Sequence, residues 1–161
     1  MIDRRGMLVL GAFGALLPSA RAADCASPGA EAAGSALLDR YVAAVNARDT
    51  GAFEGFIAPG YIQHSGRSPN GLAAQIENFK GIFARMPDVR MRVEDRIIAG
   101  DKVVARNVFA ATHTQPLQGI EPTGRRFELR TIDIWRVENG KFAEHWDIVD
   151  VAGLQRQLKG G

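Results

Sequence analysis

Apolar and polar positions follow two different rhythms along this chain, and the change falls at Pro87. Before it, Leu37, Leu38, Tyr41, Val42 and Val45 recur at helical spacing with Asp39, Arg40, Asn46 and Arg48 between them, which predicts an amphipathic helix from Glu31 to Asp49. Thr50 is the expected N-cap of a short second helix carrying Phe53, Phe56 and Ile57, ended by Pro59-Gly60. Tyr61 to His64 reads as a short extended piece and Ser65 to Asn70 as a loop. Asn70 is the expected cap of a third helix running to about Arg85, with Leu72, Ile76, Phe79, Ile82 and Phe83 on its inner face and Met86-Pro87-Asp88 stopping it.

After Pro87 the period becomes two. Val89 to Ala99 and Lys102 to Gln115 read as strands joined at Gly100-Asp101, and Phe127 to Val137 and Lys141 to Val151 as a second hairpin. The polar tail from Leu154 to Gly161 is expected to fray, so the domain is expected to span 35–152 with 153–161 as its tail. Helices first and an antiparallel meander afterwards predict an α+β domain. The expected shape is a cone-shaped barrel of a curved antiparallel sheet with the N-terminal helices on its concave side. Such a cone leaves a cavity at its open end, a natural small-molecule site.

The second hairpin carries the ionisable groups. Thr131, Asp133, Trp135 and Val137 share one face of its first strand, and Ala143, His145, Asp147 and Val149 share one face of the second. A three-residue loop of Glu138, Asn139 and Gly140 pairs Asp133 with His145 and Thr131 with Asp147, so that two carboxylates and an imidazole converge. A two-residue Asn139-Gly140 turn shifts the register by one and carries Asp133 to the opposite face. The three-residue loop is favoured because it gathers Ile132, Ile134, Phe142, Trp146 and Ile148 on one apolar back face. A second copy of the chain is the simplest cover for that face, which predicts a homodimer through the sheet.

Composition narrows the function. The chain has 161 residues and 46% apolar content, enough for one core. Its formal charge of +2 comes from the first 22 residues: without Arg4, Arg5, Arg21 and Asp3 the basic and acidic residues are equal in number. A neutral domain without a basic run offers no electrostatic case for nucleic acid or an anionic membrane. Residues 1–22 read as an export signal, with Arg4-Arg5 before the apolar run Met7 to Leu17 and Ala20-Arg21-Ala22 as a cleavage pattern. Twin-arginine and ordinary secretory readings both fit, and either makes the mature protein periplasmic or secreted. Cys25 is the one cysteine, so no internal disulfide forms.

Four segments together resemble the SnoaL-like polyketide cyclases, or ester cyclases, of the nuclear-transport-factor-2-like superfamily. They are Asn46-Ala47-Arg48-Asp49, Tyr61-Ile62-Gln63-His64, Gly119 to Arg125, and Gly140 to Asp147. The resemblance covers roughly residues 35 to 152. It implies ring closure of a small carbonyl compound by intramolecular aldol chemistry, without metal or cofactor, with a pocket carboxylate as acid and base. By motif that carboxylate is Asp147, and Asp133 occupies a neighbouring pocket position where the better-known cyclases carry His.

The chemistry needs a carboxyl group whose proton affinity is raised toward working pH, which burial and a second carboxylate both provide. Asp147, Asp133 and His145 are therefore the candidate catalytic residues, with His145 as the expected partner of Asp147. Gln63, His64 and Tyr61 are expected to line the pocket, with Trp135, Phe109 and His113 as further binding candidates. The plain structural alternatives are a solvated Asp147 paired with Arg130 or Arg136, a rim histidine at His145 and an exposed strand residue at Asp133. His64, His113 and His145 match no compact metal motif, and no phosphate loop, nucleophile elbow or dinucleotide fingerprint occurs, so neither metal nor nucleotide cofactor is expected. A small-molecule enzyme is the leading reading; an exported, non-catalytic binding protein for an apolar metabolite is its rival.

Overall fold

The computed structural model describes residues 28–160; the expected export signal at 1–22 and Cys25 lie outside the described residues. Helix α1 spans Pro28–Ala47 and buries Leu37, Leu38, Tyr41 and Val45, the face its sequence marks. Pro28 suits a first helical position, where its missing N–H has no intrahelical partner to lose. At the far end Asn46 locks α1 to the sheet: its side chain accepts from Met91 N at 2.7 Å and donates to Met91 O at 2.9 Å. At Gly34 a Cβ would stand 2.8 Å from Ile98 Cγ2, so the helix approaches the sheet as closely as it does only because the position lacks a side chain.

The segment after α1 differs from expectation in its caps. The short second helix is a 3-10 turn at Gly51–Gly55. Thr50 does not cap it through its side chain; Asp49 Oδ1 accepts from Gly51 N at 3.0 Å and Ala52 N at 3.2 Å instead. Pro59-Gly60 does not end an element, since strand β1 runs through both, Ile57–Gln63. Proline is tolerated there because β1 is an edge strand. Helix α2, Leu72–Arg85, starts without a side-chain cap, and Asn70 Oδ1 accepts from Gln63 N at 2.9 Å.

Strands β2 (Arg90–Ala99), β3 (Lys102–Thr112), β4 (Arg126–Glu138) and β5 (Lys141–Val149) form the expected antiparallel meander. The sheet order is β1-β5-β4-β3-β2, and β1 joins β5 in parallel, so the sheet is mixed and open rather than a closed antiparallel barrel. Helices α1 and α2 pack on one face of it, completing the α+β cone. The core is aromatic: Tyr41 lies between Phe53, Phe56, Phe79, Trp135 and Phe142, with centroids 5.5–6.4 Å from its own.

The hairpin between β4 and β5 reaches the expected facing by another route. Asn139 (φ 50°) and Gly140 (φ 72°) are both left-handed and form a two-residue turn, pairing Glu138 with Lys141 and Val137 with Phe142. The register then shifts between Val137 and Arg136, which pairs with Glu144, leaving Ala143 as the extra residue of a bulge. One turn residue fewer and one bulged residue more cancel in parity. Beyond the bulge Trp135 faces His145, Asp133 faces Asp147 and Thr131 faces Val149, a pairing that neither turn alone gives. The same bulge moves Phe142 off the expected back face into the core, where its ring stacks on Trp135 at 5.0 Å.

The tail is the clearest correction. Residues expected to fray form helix α3, Val151–Lys159, which buries Leu154 and Leu158 against Phe127, Val89 and Ala111. Asp150 caps it, Oδ1 accepting from Gly153 N at 2.7 Å, and left-handed Gly160 closes it.

Asp88, before β2, accepts from Thr112 Oγ1 at 2.6 Å and Thr112 N at 3.0 Å. The Thr112 hydroxyl, then the Thr112 amide, hold its carboxyl below the usual carboxylate range. A depressed folded value means the contribution is present at neutral pH and is lost as pH falls through that value. Asp88→Asn is therefore expected to flatten the fall in urea midpoint below pH about 4 relative to the wild-type chain. An equal fall in both proteins would contradict this.

Candidate functional site

The cone encloses a cavity of about 310 Å³. Apolar walls come from Phe79, Ile82 and Met86 on and just after α2 and from Phe109, Leu129 and Trp135 on the sheet. Its polar groups cluster where β1, β4 and β5 meet: Tyr61, Gln63, Asp133, His145 and Asp147, with Arg67 and Ser68 from the loop after β1. A mostly apolar hollow with a few convergent polar groups is the usual form of a small-molecule site.

A chain of hydrogen bonds fixes the centre. His145 Nε2 lies 2.9 Å from Asp133 Oδ1, and His145 Nδ1 lies 3.0 Å from Gln63 Nε2. Asp133 Oδ2 accepts from Asn107 Nδ2 at 2.8 Å and from Thr131 Oγ1. Both ring nitrogens of His145 are thereby engaged, Nε2 by Asp133 and Nδ1 by the Gln63 amide. Trp135 stacks on the imidazole at 4.9 Å and 6°. His145 thus serves Asp133 and Gln63, not Asp147 as expected from sequence, and these three side chains hold one another in place.

Asp147 is different. Its side chain is 9% exposed, Oδ2 pairs with the Arg67 guanidinium, and Oδ1 is buried with no hydrogen-bond partner among the described residues. The alternative partners named from sequence are engaged elsewhere: Arg130 with Glu128 and Arg136 with Glu144. A buried acceptor without a protein donor is costly unless another group donates to it, which makes Oδ1 a candidate contact for a ligand. Gln63 Oε1 is a second such atom at the same site.

Tyr61 and Tyr41 both line the cavity. Burial, with the Asp133 charge adding, pushes both phenols well above their ordinary value, a hydrogen bond from Trp135 opposing this at Tyr61. Both remain protonated at neutral pH.

Asp133, His145 and Asp147 each present one ligand-type atom within 4.8 Å of the others. Their bonding is that of a relay rather than a coordination set: Asp133 accepts three hydrogen bonds, His145 directs a proton at it, and Arg67 neutralises Asp147.

Two expected pocket residues lie elsewhere. His64, the residue after β1, lies on the outer face of the sheet, stacked on Trp146 at 4.4 Å and paired with Glu144 at 2.8 Å. Strand alternation explains this, since Tyr61 and Gln63 face the cavity and Ile62 and His64 cannot. His113, 1% exposed, does not reach the cavity; its Nδ1 bonds Thr123 Oγ1 at 3.0 Å and Thr123 N at 3.3 Å, pinning the loop between β3 and β4. Phe109 does line the cavity. Trp135 does too, but His145 and Phe142 cover it, so it is wall rather than stacking platform. Arg67 is a pocket residue not expected from sequence, where its one signal is a cation in the short loop that follows a pocket strand.

Comparison with known proteins agrees with this architecture. Residues 35–158 match the model of the SnoaL-like polyketide cyclase family, so the match includes all but the last residue of α3. The chain is 31% identical over 128 residues to the nogalonic acid methyl ester cyclase of Streptomyces nogalater, covering 73% of this chain and 90% of that one. It is 31% identical over 106 residues to the aklanonic acid methyl ester cyclase DnrD of Streptomyces peucetius, covering 64% and 71%. The solved structure of TsrD from Streptomyces laurentii superposes with a TM-score of 0.73 at 32% identity, over 79% of this chain and 95% of that one.

Proposed function

The chain belongs to the SnoaL-like polyketide cyclase family, and from that membership we propose that it closes a ring in a carbonyl compound with Asp147 as acid and base. The observation that carries this reading is Oδ1 of Asp147, buried at the cavity wall with no donor while its sister oxygen is held by Arg67. Because the similar curated proteins are methyl ester cyclases, the substrate class proposed is an aromatic β-keto methyl ester. Asp147 Oδ1 takes the proton from the carbon between the two carbonyls, and the C–H electron pair moves into the enolate. The enolate carbon then bonds to the carbon of a further, remote carbonyl in the same molecule, whose C=O π pair moves to oxygen, and the alkoxide so formed takes up the proton from Asp147. Asp133, His145 and Gln63 fix the polar wall against which the substrate lies.

The test is α-proton exchange. With a panel of aromatic β-keto methyl esters in deuterated buffer, proton NMR is expected to show exchange faster with the protein than without it. Ligand binding with exchange at the buffer rate throughout the panel contradicts the catalytic reading and leaves the binding protein.

The outer face of the sheet supports a homodimer. Ile132 and Ile148 are 51% and 74% exposed and flank the half-buried Trp146, while the bordering charges pair among themselves, Arg130 with Glu128 and Arg136 with Glu144. An apolar strip between neutralised borders suits a two-fold contact with its own copy. Sedimentation at micromolar concentration is expected to give twice the chain mass, and Ile148→Glu the single mass; a wild-type monomer overturns the pairing. Export before action is the companion proposal, resting on Arg4-Arg5 and the apolar run that follows. Its check is the mature N-terminus in the periplasmic fraction, and an intact Met1 found only in cytoplasm contradicts it.

A further inference from the structure

Among the described residues, Arg67 is the one lysine or arginine lining the cavity, and it sits beside the carboxylate assigned the proton transfer. Its side chain is 48% exposed, so it is not a buried structural strut. A guanidinium carries five N–H donors in a planar fork, more than a single carboxylate oxygen can occupy. The pair therefore has capacity for a second oxygen, on the cavity side of the cation.

We propose that Arg67 forms an oxyanion site, taking the oxygen of an enolate or phenolate as Asp147 takes the proton. The charge arithmetic favours this arrangement. Before proton transfer the guanidinium faces a negative Asp147 and a neutral carbonyl. After it, Asp147 is neutral, the C–H pair has become the enolate, and the negative charge sits on the ligand oxygen. The total charge around Arg67 is the same at both stages, so a single fixed cation serves both without moving into or out of water. A donor already in place where charge develops lowers the barrier, and the Asp147 carboxylate beside it is 9% exposed. Asp133 and His145 cannot replace it, because Asp133 is an anion and both imidazole nitrogens are engaged. This deepens the acid and base reading of the same site, yet it can be tested without turnover.

The probe is 4-nitrophenol, a planar phenol whose anion absorbs at longer wavelength than the acid. Bound to the wild-type protein, it is expected to ionise at lower pH than the free probe. Arg67→Gln is expected to weaken binding of the anion by about 10- to 100-fold while changing that of the neutral phenol little. Asp147→Asn is expected to do the reverse, strengthening anion binding by removing the competing charge. Opposite responses of the two variants identify the oxyanion site. Equal effects of Arg67→Gln on anion and phenol, an unshifted ionisation in the wild type, or no binding of the anion by wild type each overturn it. Arg67 lies on an exposed loop, and Arg67→Met, which keeps the aliphatic stem, provides a second uncharged variant. Should the anion bind as expected while α-proton exchange is absent, the oxyanion site stands and the cyclase chemistry falls.

Discussion

Asp147→Asn is expected to lower the rate of α-proton exchange by about 10²- to 10⁴-fold, the range that a positioned general base contributes. The asparagine has nearly the same shape, so Arg67 loses a charge partner but the cavity keeps its walls. Ligand affinity for a neutral ketone should consequently change little, and the loss should appear in the rate at saturation. Asp147→Glu is the informative companion: it restores the base but displaces it by a methylene, and should recover part of the rate. A variant with asparagine that exchanges protons as fast as wild type would remove Asp147 from the chemistry, whatever its burial. A matched loss of affinity and rate would instead mean that the residue only holds the ligand.

Trp135→Ala is expected to be the most destabilising single change in the cone, at about 3–5 kcal/mol. The indole is 2% exposed and joins three parts of the molecule: it stacks on Phe142 at 5.0 Å, on His145 at 4.9 Å, and meets Tyr41 edge-on at 5.5 Å. Removing it leaves a cavity in the aromatic core and withdraws the surface that orients the imidazole. The urea midpoint should fall accordingly, and any folded fraction should show a freed His145 ring in its NMR spectrum. A cost below about 1 kcal/mol would mean that the surrounding rings collapse into the space, contrary to a rigid packed wall.

The helices and the meander were legible because their periods differ and both are strong. Leu37, Leu38, Tyr41 and Val45 declare one helical face, and the alternation in β3 and β4 declares another order. What escaped was decided by single residues and by distance. The bulge at Ala143 has no signature in a stretch where every neighbour suits a strand, yet it sets the pairing of Asp133 with Asp147. Convergence of the acidic groups was foreseen, but through a three-residue loop that does not form. The terminal helix shows its cap at Asp150 and its apolar pair at Leu154 and Leu158, signals outweighed by the polar residues around them. His64 was a matter of parity already present in the sequence. The ion pair of Arg67 with Asp147 was not, because it joins a loop to a strand eighty positions later and depends on the parallel docking of β1 on β5.

The most direct measurement of the central claim is a crystal structure of the protein with a bound aromatic β-diketone that it does not convert. The diketone is expected inside the cone, its central carbon about 3–3.5 Å from Asp147 Oδ1 and one oxygen on Arg67. A diketone seated outside the cone, with Asp147 Oδ1 still without a partner, would contradict it.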